Sequence, residues 1–138
     1  MNKKIIWIID DDAIYQTIIN KLIQKSGVFS THSSFMNGKE AITTLNTILE
    51  IHEEFIPDII LLDINMPVMD GWEFMEEIKR IKSKINKQII IYIVSSSIAI
   101  EDRNKSKTFT DIIGYIPKPI SVEDLIAIVQ SDENSAGN

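Results

Sequence analysis

Hydrophobic positions along the chain gather into short runs separated by longer periodic stretches. Residues 4–9, 58–62, 88–94 and 112–116 are rich in Ile and Val and do not alternate cleanly with polar residues. Runs of that length and kind predict strands covered on both faces, as in a parallel sheet. A fifth stretch, 28–33, is less apolar and is the weakest strand candidate.

Helical spacing fills the gaps. Ile14, Ile18, Ile19, Leu22 and Ile23 form one apolar stripe, with an Asp at its start and Gly27 just past its end. Ala41, Ile42, Leu45, Ile48 and Leu49 form a second, where Asn37 is placed to cap and Glu40 to complete a capping box. Phe74, Ile78, Ile81 and Ile85 form a third, opened by Asp70 with Glu73 three residues on. Residues 98–109 make a more polar fourth helix. Ser121 opens a fifth, with Leu125, Ile126, Ile128 and Val129 on its apolar face, and residues 131–138 are small and polar and expected to fray. Five strand–helix units imply an open α/β sheet with helices on both faces. Right-handed crossovers then favour a doubly wound, flavodoxin-like (βα)5 fold with strand order 2-1-3-4-5, whose switch point lies between strands 1 and 3.

At 138 residues the chain is expected to be one domain spanning 1–131, followed by a flexible tail at 132–138. It has no cysteine, which excludes disulfides, thiolate metal sites and a Cys nucleophile. A net charge of −6 argues against binding a phosphate backbone, so no nucleic-acid partner is expected. Lys3 and Lys4 precede only five apolar residues before three aspartates, too few for a signal peptide, and no run is long enough to span a membrane. A cytoplasmic, soluble protein is the expectation.

In open α/β sheets ligands bind beyond the carboxyl ends of the strands, at the switch point. Strand 1 runs into Asp10-Asp11-Asp12, strand 3 into Asp63, strand 4 into Ser95-Ser96-Ser97, and strand 5 into Pro117-Lys118-Pro119. Carboxylates from strands 1 and 3 would share a small volume, and like charges that close call for a counter-charge. A hard divalent cation with oxygen ligands supplies one, and Mg²⁺ is the usual ion where a phosphate is handled. A lysine and a hydroxyl facing the same spot suit the oxygens of a transferring phosphoryl group.

These residues are carried by three motifs. They are Ile8-Ile9-Asp10-Asp11-Asp12, the segment from Pro57-Asp58 through Leu62-Asp63-Ile64-Asn65-Met66-Pro67-Val68-Met69-Asp70-Gly71, and Gly114-Tyr115-Ile116-Pro117-Lys118-Pro119. Together they resemble the receiver domain of two-component response regulators, over residues 4 to about 130. The resemblance is to the stand-alone, chemotaxis-regulator-like kind, a phosphoacceptor signalling domain that assists only its own phosphorylation and dephosphorylation. It implies that Asp63 takes a phosphoryl group from a sensor histidine kinase or histidine phosphotransfer protein. It implies Mg²⁺ held by Asp10, Asp11, Asp63 and the backbone carbonyl of Asn65. Lys118 would pair with the phosphoryl group, its bond to Pro119 being cis. Ser95 would be the switch hydroxyl and Tyr115 the switch aromatic, reshaping the face formed by helix 4, strand 5 and helix 5 for a downstream protein. Ser95 directly follows the strand, whereas gapless counting back from Lys118 points to Ser96. Pro117 lacks an N–H and so belongs at an edge strand or a strand end.

Two other functions compete. A small phosphatase of the haloacid-dehalogenase type would use Asp10 as nucleophile in Asp10-x-Asp12, but leaves the Asp63 segment without a role. A flavodoxin-like module that binds without phosphorylation leaves every acceptor residue without one. Among the remaining residues, Asp12 is expected to cap the first helix, Trp7 to lie in the core, Trp72 to be partly exposed packing, and His32 and His52 to have no catalytic role.

Overall fold

The computed structural model describes residues 3–96 and 99–136. Strands β1 (Lys4–Ile9), β2 (Phe29–Phe35), β3 (Ile59–Leu62), β4 (Ile90–Ser95) and β5 (Ile112–Pro117) alternate with helices α1 (Ala13–Ser26), α2 (Gly38–Ile51), α3 (Gly71–Ile81), α4 (Ile100–Ser106) and α5 (Val122–Ala136). The strands form a single parallel sheet in the order β2-β1-β3-β4-β5, as the strand–helix alternation predicts.

Period-two alternation on the central strands divides the core into two layers. Ile6 and Ile8 of β1 and Ile59 and Leu61 of β3 pack with Ile19 and Ile23 of α1 and Leu125 and Ile128 of α5. Trp7, Ile9, Ile60 and Leu62 face the other way, onto Ala41, Ile42 and Leu45 of α2 and Phe74 and Ile78 of α3. Each buried Ile or Leu contributes roughly 1.5–3 kcal/mol, so this double layer is the main support of the sheet. Trp7 is in the core, as expected, against Phe35 with ring centroids 4.6 Å apart.

Helix ends follow the capping signals closely. Asp12 accepts from the N–H groups of Ile14 and Tyr15, and Gly27 ends α1 at φ 68°, a conformation that a Cβ disfavours. Asp70 and Glu73 form the full capping box of α3. At α2, Asn37 accepts from Glu40 N–H, but the Glu40 carboxylate reaches back to Met36 N–H and the Asn37 side-chain amide rather than to the backbone N–H of the cap residue. The stripe ending at Ile85 overran its helix, because α3 stops at Ile81 and a 3-10 turn spans Lys82–Lys84.

The ends of the chain's weaker elements also differ. β2 extends to Phe35, and α4 begins at Ile100, the first part of the expected 98–109 helix lying partly outside the described residues. α5 runs to Ala136, beyond the boundary at 131 expected for the folded part. No Pro or Gly interrupts residues 131–136, so helix propagation, one bond per residue, continues, and Asp132 is tied to Lys4 of β1 at 3.1 Å. β5 is not covered on both faces. Ile113 is 51% exposed and Tyr115 41%, because β5 is the sheet edge and α4 beside it buries none of its own residues. Trp72 is buried rather than partly exposed, stacked on Phe109 with its indole N–H donated to Asp102 Oδ1 at 3.2 Å. Among the described residues no helix is long and apolar enough to cross a membrane.

Candidate functional site

Parallel strands bring all their carboxyl ends to one edge, and the two that flank the switch point deliver the acids. The ladder continues one residue past the strands: Asp10 N–H donates to Phe35 carbonyl at 3.0 Å and Asp63 N–H to Ile9 carbonyl at 2.9 Å. Both side chains therefore leave the sheet at the same level. Carboxylate oxygens of Asp10, Asp11 and Asp63 lie within 4.8 Å of one another, with Asp10 and Asp63 buried and Asp11 exposed. Two oxygens on opposite sides of an ion ligated at 2.0–2.1 Å stand about 4 Å apart, so this all-oxygen set fits a small hard cation after minor adjustment.

Local hydrogen bonds fix the two buried acids. Asp10 Oδ1 accepts Asp12 N–H at 2.9 Å, and Asp63 Oδ1 accepts Ile64 N–H at 2.8 Å. Gln16 ties the strand ends together, its Nε2 donating to the carbonyls of Asp10 and Phe35, each at 3.1 Å. Lys118 follows β5, its N–H bonded to the Ser95 carbonyl at 3.0 Å and its peptide to Pro119 cis. Its ammonium lies 2.8 Å from Asp10 Oδ2, an ion pair without an aligned hydrogen bond, and 4.2 Å from the centroid of the Tyr15 ring.

Burial, with the neighbouring charge of Asp10, pushes the Asp63 carboxyl up to about 6; the Lys118 ammonium pulls in the opposite direction. Burial also raises the Tyr15 hydroxyl well above the usual tyrosine range, helped by the charges of Asp10 and Asp63. An acid perturbed by desolvation and a like charge, sitting in a cleft with a cation at hand, is a candidate reactive group.

The switch candidates occupy separate positions. Ser95 is buried at the end of β4, whereas Ser96 is exposed and Ser97 lies outside the described residues. Tyr115 projects outward from β5, its ring under the Arg103 guanidinium at 4.3 Å. Asn65 is exposed in the loop two residues past Asp63. That loop turns tightly at Val68, which has φ 70°, with Met69 N–H donated to the Pro67 carbonyl at 2.8 Å. Gly71 backs Asp63 so closely that a Cβ there would sit 2.5 Å from the Asp63 carbonyl oxygen. His32 and His52 lie away from this cleft, and His52 pairs with Glu54 at the surface.

Tyr15, Gln16 and Val68 are parts of the site that sequence reasoning missed. Tyr15 sits four residues past Asp11, a spacing that points it back over the first turn of α1, and that is the one signal that was available.

The cleft has counterparts in known proteins. The family model for the response regulator receiver domain matches residues 6–130. The DNA-binding transcriptional regulator NtrC of Escherichia coli is 28% identical over 130 residues, covering 94% of this chain and 25% of that protein. The chain thus spans about a quarter of NtrC. The chemotaxis protein CheY of Halobacterium salinarum is 29% identical over 129 residues, covering 91% of this chain and 96% of that protein. A crystal structure of a two component response regulator from Cytophaga hutchinsonii superposes with a TM-score of 0.85 at 26% identity, covering 97% of this chain and 99% of that one. With the strand order, the acid pair after β1, the single acid after β3 and the lysine after β5 all in place, the chain belongs to the response regulator receiver domain family.

Proposed function

We propose that Asp63 is the phosphoacceptor, taking a phosphoryl group from the phosphohistidine of a sensor histidine kinase or histidine phosphotransfer protein. The observation that carries this reading is the convergence of Asp63 with Asp10, Asp11 and Lys118 at one strand edge. In the transfer, an Asp63 carboxylate oxygen attacks phosphorus and forms the O–P bond. The N–P bond breaks and its electron pair returns to the donor imidazole nitrogen, which takes up a proton. Lys118 leaves Asp10 for a phosphoryl oxygen, and Ser95 offers a hydroxyl to another.

Asp10, Asp11, Asp63 and the Asn65 carbonyl would hold Mg²⁺ here. The receiver domain of the histidine kinase CKI1 from Arabidopsis thaliana, 22% identical with a TM-score of 0.80, was solved complexed with Mg²⁺. When bound, such an ion neutralises the crowded carboxylates and the charge that develops on the phosphoryl oxygens.

The switch rests on Ser95 and Tyr115. Phosphorylation adds about −1.5 to −2 charge at Asp63. Drawing the Ser95 side chain toward it opens space behind β4 into which Tyr115 turns, leaving Arg103. The α4–β5–α5 face changes shape and binds a downstream protein differently, as a shift between two populated states. A location in the cytoplasm follows from that partnership. Intact-mass measurement after exposure to Mg²⁺ and phosphoramidate tests the reading. One phosphoryl adduct, lost with chelator and in Asp63→Asn, is expected; an adduct that survives Asp63→Asn refutes it.

A further inference from the structure

Three buried side-chain polar atoms lack a hydrogen-bond partner among the described residues, and all belong to the corner between β1 and α1. They are Asp10 Oδ2, the Tyr15 hydroxyl and Gln16 Oε1. A buried polar group left unpaired carries a desolvation penalty, and native proteins retain few of them without a reason. The Asp10 oxygen lies against the Lys118 ammonium, which meets its charge. The Tyr15 hydroxyl is the one donor of the three, and its environment contains acids that an incoming cation and phosphoryl group would engage.

Tyr15 already touches the machinery. Its ring carries the Lys118 ammonium at 4.2 Å, while that ammonium stands 2.8 Å from Asp10. The ring body is partly buried and packs against the α1–α5 side of the core. An aromatic face under an ammonium is favourable for cation–π attraction and leaves the ammonium free to move along it. An aspartyl phosphate on Asp63 would bring three acceptor oxygens into the same pocket.

On the reading that Asp63 is the phosphoacceptor, we propose that Tyr15 is a further phosphoryl-binding side chain: its hydroxyl donates to an oxygen of the aspartyl phosphate while its ring seats Lys118. The donor stays unpaired until the phosphoryl group arrives, so it stabilises the modified state over the unmodified one.

Beryllofluoride, a phosphoryl mimic that binds the acceptor carboxylate with Mg²⁺, tests this without turnover. The readouts are its dissociation constant, the ¹⁹F spectrum of the complex, and the thermal midpoint of the unliganded protein. Wild type is expected to bind, and Asp63→Asn to fail. Tyr15→Phe keeps the ring and drops the hydroxyl. It is expected to weaken beryllofluoride about tenfold, the size of a hydrogen bond to a charged group, and to shift one fluorine resonance. Its unliganded midpoint is expected to equal or exceed that of wild type, since an orphaned group has been removed. Tyr15→Leu, lacking the ring too, is expected to weaken binding further. Wild-type affinity and an unshifted ¹⁹F spectrum in Tyr15→Phe overturn the proposal while leaving Asp63 as acceptor. Failure of wild type itself to bind overturns the acceptor reading, and the inference with it.

Discussion

Replacing Asp63 with asparagine should stabilise the metal-free protein at neutral pH, although it removes the proposed phosphoacceptor. The carboxyl is held near 6 in the folded chain against an ordinary value of 3.8, chiefly by burial and by Asp10. An acid whose folded pKa is raised binds its proton more tightly when folded. Its contribution to stability is therefore complete below pH 3.8 and is lost as pH rises through about 6. At 1.36 kcal/mol per pH unit that difference sets a ceiling of about 3 kcal/mol. Screening at the open mouth of the cleft lowers it, so ~1–3 kcal/mol is expected. Urea denaturation in chelator at pH 8 and at pH 4 measures the effect. Asp63→Asn should be the more stable protein at pH 8, and most of the gap should close at pH 4, where the Asp63 carboxyl of the folded protein is protonated. Mg²⁺ at pH 8 should narrow the gap by stabilising wild type selectively. A gap that is independent of pH, or an asparagine variant less stable at pH 8, refutes the account of a crowded, desolvated Asp63.

Three other substitutions probe the supports of the site. Val68 is 79% exposed yet held at φ 70°, so Val68→Gly should release strain of about 1–3 kcal/mol, less the ~0.5–1 kcal/mol that glycine loses on ordering, and raise the urea midpoint. Gly71→Ala places a Cβ 2.5 Å from the Asp63 carbonyl oxygen and 2.9 Å from Ile64 Cα, both backbone atoms; a loss of about 2–3 kcal/mol and slower phosphorylation are expected, and an unchanged midpoint would count against the packing described. Asp102→Ala removes the acceptor of the Trp72 indole, and since α4 buries no residue of its own, faster hydrogen exchange in α4 and altered Trp72 emission, read in a Trp7→Phe background, should follow.

The sheet and its order were legible because runs such as 5–9 and 59–62 are apolar on both faces and the acids follow them directly. Local chemistry was legible where one side chain closes one turn, as at Asp12, Asn37 and Asp70. What escaped depends on neighbours that are distant in sequence. β5 looks apolar in isolation, and only its place at the edge beside a short α4 leaves Ile113 and Tyr115 exposed. Trp72 is hidden by Phe109 and Asp102, more than 25 residues away along the chain. Tyr15 is one more residue on an amphipathic helix until β5 brings Lys118 over its ring. Gln16 gains its role only when β2 places the Phe35 carbonyl beside those of Ile8 and Asp10.

The most direct measurement locates the phosphoryl group. After phosphorylation with phosphoramidate and Mg²⁺, borohydride reduces an acyl phosphate to the alcohol, and peptide sequencing by mass spectrometry finds the altered residue. Reduction at position 63 alone is expected. Reduction at Asp10, as a phosphatase of the haloacid-dehalogenase type would give, or at no position, would contradict the account.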